Sequence, residues 1–393
     1  MALGLSASGL RSVLAAGETD HITLPFANGE RELASYPQKR PLIRLTGRPP
    51  QLETPFAVFD EGLLTPNDAF FVRYHLSGIP TRVDPATYRL RVGGLVERPL
   101  TLALDDVKRI GPAQDLVAVH QCSGNSRGFF DPRIHGGQLG HGAMGNARWT
   151  GAPLRAVLER AGIRRGAVQV TFDGLDKPVF PATPDFVKAL PVAHAMDGEV
   201  LLAWAMNGAD LPMLNGYPLR LVVPGYFGTY WVKHLSDIEV VDREYDGFFM
   251  GTAYRIPDND CGCVELGGKP DRTRPIDRFV IRSFITSPAE GTRHPVGGSI
   301  PLRGIAFDGG HGIARVEYST DGGAHWQAAA LGTDLGRYSF RPWTATFQPD
   351  RAGPHDLRVR AIGVNGERQP DTALWNPSGY RYNAVMSVRI IAG

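Results

Sequence analysis

AVHQCSGNSRGFFDP, residues 118–132, joins an apolar run to a polar one. Leu116, Val117, Ala118 and Val119 read as a buried strand, because small and β-branched side chains pack well on a pleated surface. That strand ends by presenting Cys122, with Ser123, Asn125, Ser126 and Arg127 directly after it. On its own, Cys122 reads as a buried free cysteine. Arg127 opens a second reading, since a nearby cation favours the thiolate, which is both the nucleophile and the soft-metal ligand. A cysteine nucleophile also needs a histidine base. His120 shares the strand face of Cys122, but no third orienting group is evident. A zinc site needs further thiols or histidines at ligand spacing, and none clusters here.

Working outward, residues 1 to about 60 read as extended and rich in loops. PLIRLTGRPPQLETPF has prolines too closely spaced for a helix. From about 65 to 265, strand-like runs alternate with one or two helices. TYRLRVGGLV alternates at period two through Tyr88, Leu90 and Val92. APLRAVLERAGI is the clearest helix: Pro153 suits the start, Gly162 the end, and Leu154, Val157, Leu158 and Ala161 share one face. PLRLVVPG, residues 218–225, reads as a buried strand stopped by a proline-glycine turn. Beyond about 275, short alternating strands separated by DGG and NG turns predict an antiparallel, immunoglobulin-like sandwich. The expected division is an extended arm over 1–40, a mixed α/β domain over 41–265, a linker near 264–275 and an all-β sandwich over 276–393. The fold class is therefore α+β.

The bulk numbers fit this plan. The chain has 393 residues, 42% of them hydrophobic and 21% charged, with 47 glycines and 31 prolines that favour turns and short strands. A formal net charge of +2 implies no strongly basic face, so nucleic acid is not an expected partner. No run of about 18 apolar residues predicts a membrane span. Three cysteines make no disulfide framework, and Cys261 and Cys263 stand too close together in sequence to bridge readily. C-x-x-C-H is absent, so no covalently held c-type haem is expected. The first residues, MALGLSASGLRSVLAAGE, fit either the end of a cropped export signal or a disordered arm.

Two further segments concentrate chemistry. FFVRYHLSGIP puts Arg73 and His75 on one face of an extended chain. PGYFGTYWVKHL sets Gly225, Gly228, Tyr230, Trp231, Lys233 and His234 after a strand, where glycines let backbone N–H groups approach a ligand closely. The ordered motifs FVRYH, QCSGNSR, GLD at 174–176, PLRLVVPG and VK at 232–233 together resemble the sulfite oxidase family of molybdenum enzymes, nearest its bacterial sulfite dehydrogenases without a fused haem domain.

The resemblance implies a molybdopterin-binding domain followed by an immunoglobulin-like dimerisation domain. It makes Cys122 the protein ligand to molybdenum. Pterin and phosphate contacts fall on Arg73, Tyr74, His75, Asp176, Asn215, Arg220, Trp231, Val232 and Lys233. Asn215 stands where the animal enzymes carry a histidine. Arg73 and Arg127 become the grip on sulfite, with Tyr254 as the active-site tyrosine, Arg381 as a candidate third arginine and Gln51 as a candidate toward the electron acceptor. The implied reaction is oxidation of sulfite to sulfate by oxygen-atom transfer. Electrons then pass to an external cytochrome c, with no intrinsic haem, from a periplasmic homodimer. The alternative within the family is reduction of nitrate or of a sulfoxide such as methionine sulfoxide. A non-enzymatic binding protein is the contrasting class.

Overall fold

The computed structural model describes residues 20–393; the possible export signal expected at the start lies outside them. The stretch expected as an extended arm forms strands from His21 onward. His21–Thr23, Glu30–Tyr36, Lys39–Gly47, Pro50–Glu53 and Val72–Arg73 make one antiparallel sheet, in which Gln51 faces Arg73 across the ladder.

Two more sheets build the rest of the first domain. One orders Lys188–Pro191, Gln169–Gly174, Leu235–Val241, Arg89–Gly94 and Leu100–Ala103, with a single parallel pairing between Leu235–Val241 and Arg89–Gly94. The other orders Ala209–Asp210, Leu201–Met206, Met144–Pro153 and Gln114–Gln121, with Arg220–Val222 also paired to Leu201–Met206. The helix Leu154–Ala161 buries Leu154, Val157, Leu158 and Ala161, the four residues its periodicity selects. It stops at Gly162, whose φ of 73° is left-handed and costs a glycine little.

All five motifs lie at or just beyond strand ends. FVRYH runs out of Val72–Arg73, QCSGNSR follows Gln114–Gln121, GLD closes Gln169–Gly174, and the segment after Arg220–Val222 leads through Gly228 to Lys233. Strand ends are where side chains leave the sheet and can converge on a common space.

The second domain is the expected sandwich. One sheet orders Arg282–Ser287, Ile300–Phe307, Arg341–Phe347 and Ala330–Leu331; its mate orders Arg293–His294, Met386–Ala392, Gly353–Gly363, Ile313–Ser319 and Gln327–Ala328. Ile281, Leu302, Val316, Trp343, Leu357 and Ile390 fill the space between them. The linker region carries a short ribbon of its own, Arg255–Pro257 paired with Thr273–Pro275. Cys261 and Cys263 are joined by a disulfide, contrary to the sequence expectation. Gly262 between them takes φ 59°, and the two Cα atoms lie 5.1 Å apart, within the ordinary span for a bridge.

Gly304 sits where neighbouring strands pack closely: a methyl group there would overlap the Phe284 carbonyl oxygen and the Trp343 ring. Gly304→Ala is therefore expected to cost about 3 kcal/mol of stability, read from urea unfolding. A loss below about 0.5 kcal/mol would mean that the core yields there.

Candidate active site

The motif-bearing strand ends surround a cavity whose wall includes Arg73, His75, His120, Cys122, Thr229 and Lys233. Cys122 is the free cysteine, and its side chain is 8% exposed. Its backbone N–H donates to the Ala143 carbonyl, and its own carbonyl accepts from Asn125, so the loop after the strand is tightly folded. Ser126 takes a left-handed φ of 70°, and Arg127 after it is not among the residues that line the cavity.

The Arg127 guanidinium runs through a slot. Nε donates to the Ser378 carbonyl at 3.1 Å and Nη1 to the Gly137 carbonyl at 3.1 Å, and the Tyr380 ring lies 5.1 Å away. A Cβ at Gly124, Gly136 or Gly379 would press on the guanidinium or its stem at 2.7, 3.1 and 3.0 Å respectively.

Tyr254 is buried and holds φ at 59°, a strained value for a non-glycine residue. Its hydroxyl and His75 Nε2 share a short hydrogen bond, and the His75 ring stacks on Phe186 with centroids 4.0 Å apart. Burial, reinforced by Arg73, Lys233 and Lys188, drives the His75 imidazole well below its ordinary value, so it stays neutral. Burial raises the Tyr254 phenol, so it keeps its proton. With His75 neutral, the direction of this bond follows its tautomer: Nε2–H donates to the phenol oxygen, or bare Nε2 accepts the phenol proton.

Lys233 Nζ rests 4.4 Å from the centre of the Tyr74 ring and has no hydrogen bond or ion pair among the described residues. Desolvation brings its ammonium down to about 7, with Asp176 opposing and Arg220 and Arg73 adding to the fall. Asp176 is itself pushed up by burial. Tyr74 supports Lys233 from below: its O–H donates to His234 Nε2 at 2.7 Å, and His234 Nδ1 donates to the Tyr217 carbonyl at 2.6 Å.

Other expected contacts lie behind the wall. Asn215 is committed on both sides, accepting from Lys39 Nζ at 2.5 Å and donating to the Phe71 carbonyl at 3.1 Å. Arg220 donates to the Asn215 and Trp231 carbonyls and lies against the Trp149 and Trp231 rings; burial lowers it to about 9. Trp231 is buried, donates to the Tyr226 carbonyl and stacks beneath His120 at 4.7 Å, and Val232 is buried beside it. Asn215, Arg220, Trp231 and Val232, like Tyr74 and Asp176, stand behind the residues that line the cavity, and Arg220 keeps one buried nitrogen, Nε, without a partner.

Arg381 is a further correction. Its Nη1 donates to the Cys261 carbonyl, and it lines a separate surface cavity with Cys261 and Gly262. The neighbouring Ser378, Gly379 and Tyr380 are the residues that reach Arg127.

Two residues went unnoticed in the sequence. Lys188 is fully buried with Nζ 5.2 Å from the Tyr254 ring, and burial brings it down to about 7. Nothing in the short run KALP signals this, because the aromatic partners come from distant segments. Thr229 lines the cavity from within FGTYW, where a lone threonine among aromatic residues carries no local signal.

The cavity wall also carries unmet polar atoms. Ser123 Oγ, Thr229 Oγ1 and His120 Nδ1 are buried without a hydrogen-bond partner. Buried polar groups are normally paired, so three orphans around one space call for a polar ligand.

Residues 76–249 match the family described as oxidoreductase molybdopterin binding domain, and residues 284–359 match the bacterial Ig domain. The mitochondrial sulfite oxidase of Mus musculus is 34% identical over 93% of this chain and 68% of that protein. The sulfite oxidase of Arabidopsis thaliana is 31% identical over 91% of this chain and 95% of that protein. The chain belongs to the sulfite oxidase family of molybdenum enzymes. It spans 66% of the rat mitochondrial relative's length. The NADH nitrate reductase of Solanum lycopersicum is also similar, 28% identical over 89% of this chain and 41% of that protein. The sulfane dehydrogenase SoxCD of Paracoccus pantotrophus superposes with a TM-score of 0.76, at 24% identity, over 97% of this chain and 92% of that one, which shows a shared fold. Membership of the sulfite oxidase family makes the protein a molybdenum oxidoreductase.

An ammonium with no protein partner destabilises the cofactor-free fold. The folded value of Lys233, about 7, lies below the ordinary 10.5, so the unfolded chain binds the proton more tightly. The penalty is complete below about pH 7 and fades as pH rises toward about 10.5. Lys233→Met should therefore raise the Tm of cofactor-free protein, more at about pH 6 than at about pH 9. A variant melting below wild type at both pH values would contradict the unpaired-cation account.

Proposed function

We propose that the protein oxidises sulfite to sulfate at a molybdenum–pyranopterin centre held in this cavity. The observation that carries the reading is a free thiol on the wall of a cavity ringed by cations without protein counterions and by orphaned polar atoms. Such a wall fits an anionic, sulfur-rich and hydrogen-bonding group. Cys122 would supply a soft thiolate to the metal. Lys233, Arg73 and His75 would face the cofactor's phosphate and pterin, while Ser123, Thr229 and His120 would satisfy its polar edges. When bound, that group supplies two-electron redox and oxygen-atom chemistry.

The chain's own work is electrostatic and geometric. Arg73 and Arg127 attract a small dianion and orient it, and an enclosed site strengthens that attraction. In the tautomer where neutral His75 donates from Nε2 to the Tyr254 oxygen, the bond aims the hydroxyl and leaves its proton free to donate to an oxyanion. Lys188 beneath the Tyr254 ring adds positive potential from the protein side.

The acceptor we propose is a separate cytochrome c, and the same family resemblance supports a periplasmic homodimer paired through the sandwich domain. Nitrate reduction is the second reading, favoured by the similarity to the tomato enzyme.

A steady-state assay separates the two. Sulfite-dependent reduction of ferricyanide by molybdenum-loaded protein is expected; nitrate turnover without sulfite oxidation would reverse the choice. Cys122→Ser should lower the sulfite rate by at least about 100-fold with the fold retained, because even outer-shell changes at metal sites cost up to that much. Near-normal turnover would remove the ligand role. Arg127→Gln should raise KM for sulfite about ten-fold with a smaller change in kcat, as expected when a charge-assisted contact common to bound substrate and transition state is lost. An unchanged KM would take Arg127 out of the pocket.

A further inference from the structure

Arg127 is held from both domains, and the second-domain side of its slot leads to the disulfide. Residues Trp375–Arg381 form a strap across the guanidinium. Within the strap, Asn376 Nδ2 donates to the Tyr380 carbonyl at 2.8 Å, and the Gly379 N–H donates to the Asn376 carbonyl at 3.0 Å. The strap touches Arg127 through the Ser378 carbonyl, the Gly379 backbone and the Tyr380 ring. Tyr380 also stacks on Tyr254, with centroids 5.5 Å apart and planes within 6°. One short strap thus fixes both the anion-gripping arginine and the cavity tyrosine.

The strap is tied down by the segment that contains Cys261 and Cys263. The Val264 N–H donates to the Trp375 carbonyl at 2.9 Å, Ser378 Oγ donates to the Arg255 carbonyl at 3.2 Å, and Arg381 Nη1 donates to the Cys261 carbonyl at 3.2 Å. That last bond is the only one Arg381 makes among the described residues, and its buried Nε has no partner. Arg381 also sits at a left-handed φ of 61°, a conformation that needs external support in a non-glycine residue. A Cβ on Gly262 would collide with its guanidinium, so the fit between loop and arginine is close. The loop is closed on itself by Asn259, whose side chain bonds the Cys263 N–H and carbonyl, and by the disulfide. Both cysteines are partly exposed, so the bridge is open to chemistry from solvent.

We propose that the Cys261–Cys263 disulfide is a positioning element for Arg127. By closing the Asn259–Val264 loop it fixes the carbonyl that holds Arg381, and through Arg381 the strap that clamps the guanidinium. This rests on the reading of Arg127 as an oxyanion grip. Opening the bridge lowers the affinity of the pocket for a tetrahedral or pyramidal oxyanion while leaving Cys122 and the cofactor wall in place. A small dithiol would open it by breaking the S–S bond and giving up two electrons and two protons. Both cysteines end as thiols and the dithiol as a disulfide.

The test uses molybdenum-loaded, full-length protein carrying Cys261→Ser and Cys263→Ser together. Two readouts are KM and kcat for sulfite, and the calorimetric Kd for sulfate; the Tm is followed alongside. The expected result is a rise of about five-fold in KM and in sulfate Kd with kcat within about two-fold, the pattern of weakened binding without damaged chemistry. Arg381→Met, which keeps the disulfide, should show the same shift and carries the test if the double-serine chain does not fold. In an Arg127→Gln background, removing the disulfide should have no further effect on sulfate binding. Wild-type KM and Kd in the variants, an equal weakening with and without Arg127, or a fall in kcat at constant KM would each overturn the inference. If wild-type protein binds sulfate in an Arg127-dependent way but does not oxidise sulfite, the functional reading fails and the positioning role stands or falls on the Kd values alone.

Discussion

Positive charge without a partner is the constraint on which the rest of the structure depends. Lys233 is half-buried on the cavity wall, Lys188 and Arg220 are fully buried and bonded only to backbone carbonyls, and burial pulls each below its ordinary pKa. Asp176 opposes Lys233, but burial raises that carboxyl, so it is a poor counterion. A fold spends stability to hold cations this way, and an anion entering the cavity would recover it. The aromatic rings are part of the same solution. Tyr74 under Lys233, Trp149 and Trp231 against Arg220, and Tyr230 and Tyr254 near Lys188 offer π faces that soften desolvation without neutralising the charge. A carboxylate in their place would quench the field that a bound anion must feel.

The second domain is structural support for the site as well as a separate sandwich. Its strap holds Arg127, and its first long strand sends Arg282 into the first domain, where Nη2 donates to Ser126 Oγ at 2.8 Å. Ser126 in turn bonds His141 Nδ1 at 2.7 Å. The loop between Cys122 and Arg127 is thus braced from the far side by a buried arginine of the sandwich domain. Asp60 adds a surface tie, accepting from Thr286 and Arg303. The two domains meet at the loop where the chemistry is concentrated, so their packing bears directly on how Arg127 is aimed.

Much of this was legible in the sequence where the signal is local. The helix Leu154–Ala161 has its apolar face and both ends written into twelve residues, and the sandwich strands announce themselves by alternation and by DGG and NG turns. The segments bearing Arg73, Cys122 and Lys233 are legible as polar groups at the end of apolar runs, whereas Asp176 is legible only through the family resemblance of the ordered motifs. What stayed hidden depends on tertiary direction. Arg381 looked like the pocket residue because it carries charge, yet the strap turns Ser378 and Tyr380 toward Arg127 and sends Arg381 to the Cys261 carbonyl. Asn215 and Arg220 are bonded to Lys39, Phe71 and Trp231 behind the cavity wall, contacts that no local pattern in the sequence shows. The disulfide was discounted on sequence spacing alone, because the left-handed turn at Gly262 that allows it is a property of the folded loop.

The most direct measurement is the molybdenum and phosphorus content of the purified full-length chain, taken with its Tm before and after the metal group is removed. The account predicts about one molybdenum and at least one phosphorus per chain, and a cofactor-free form that melts at a markedly lower temperature because its buried cations have lost their anion. Protein free of both elements, folded, and unchanged in Tm when supplied with the cofactor would contradict it.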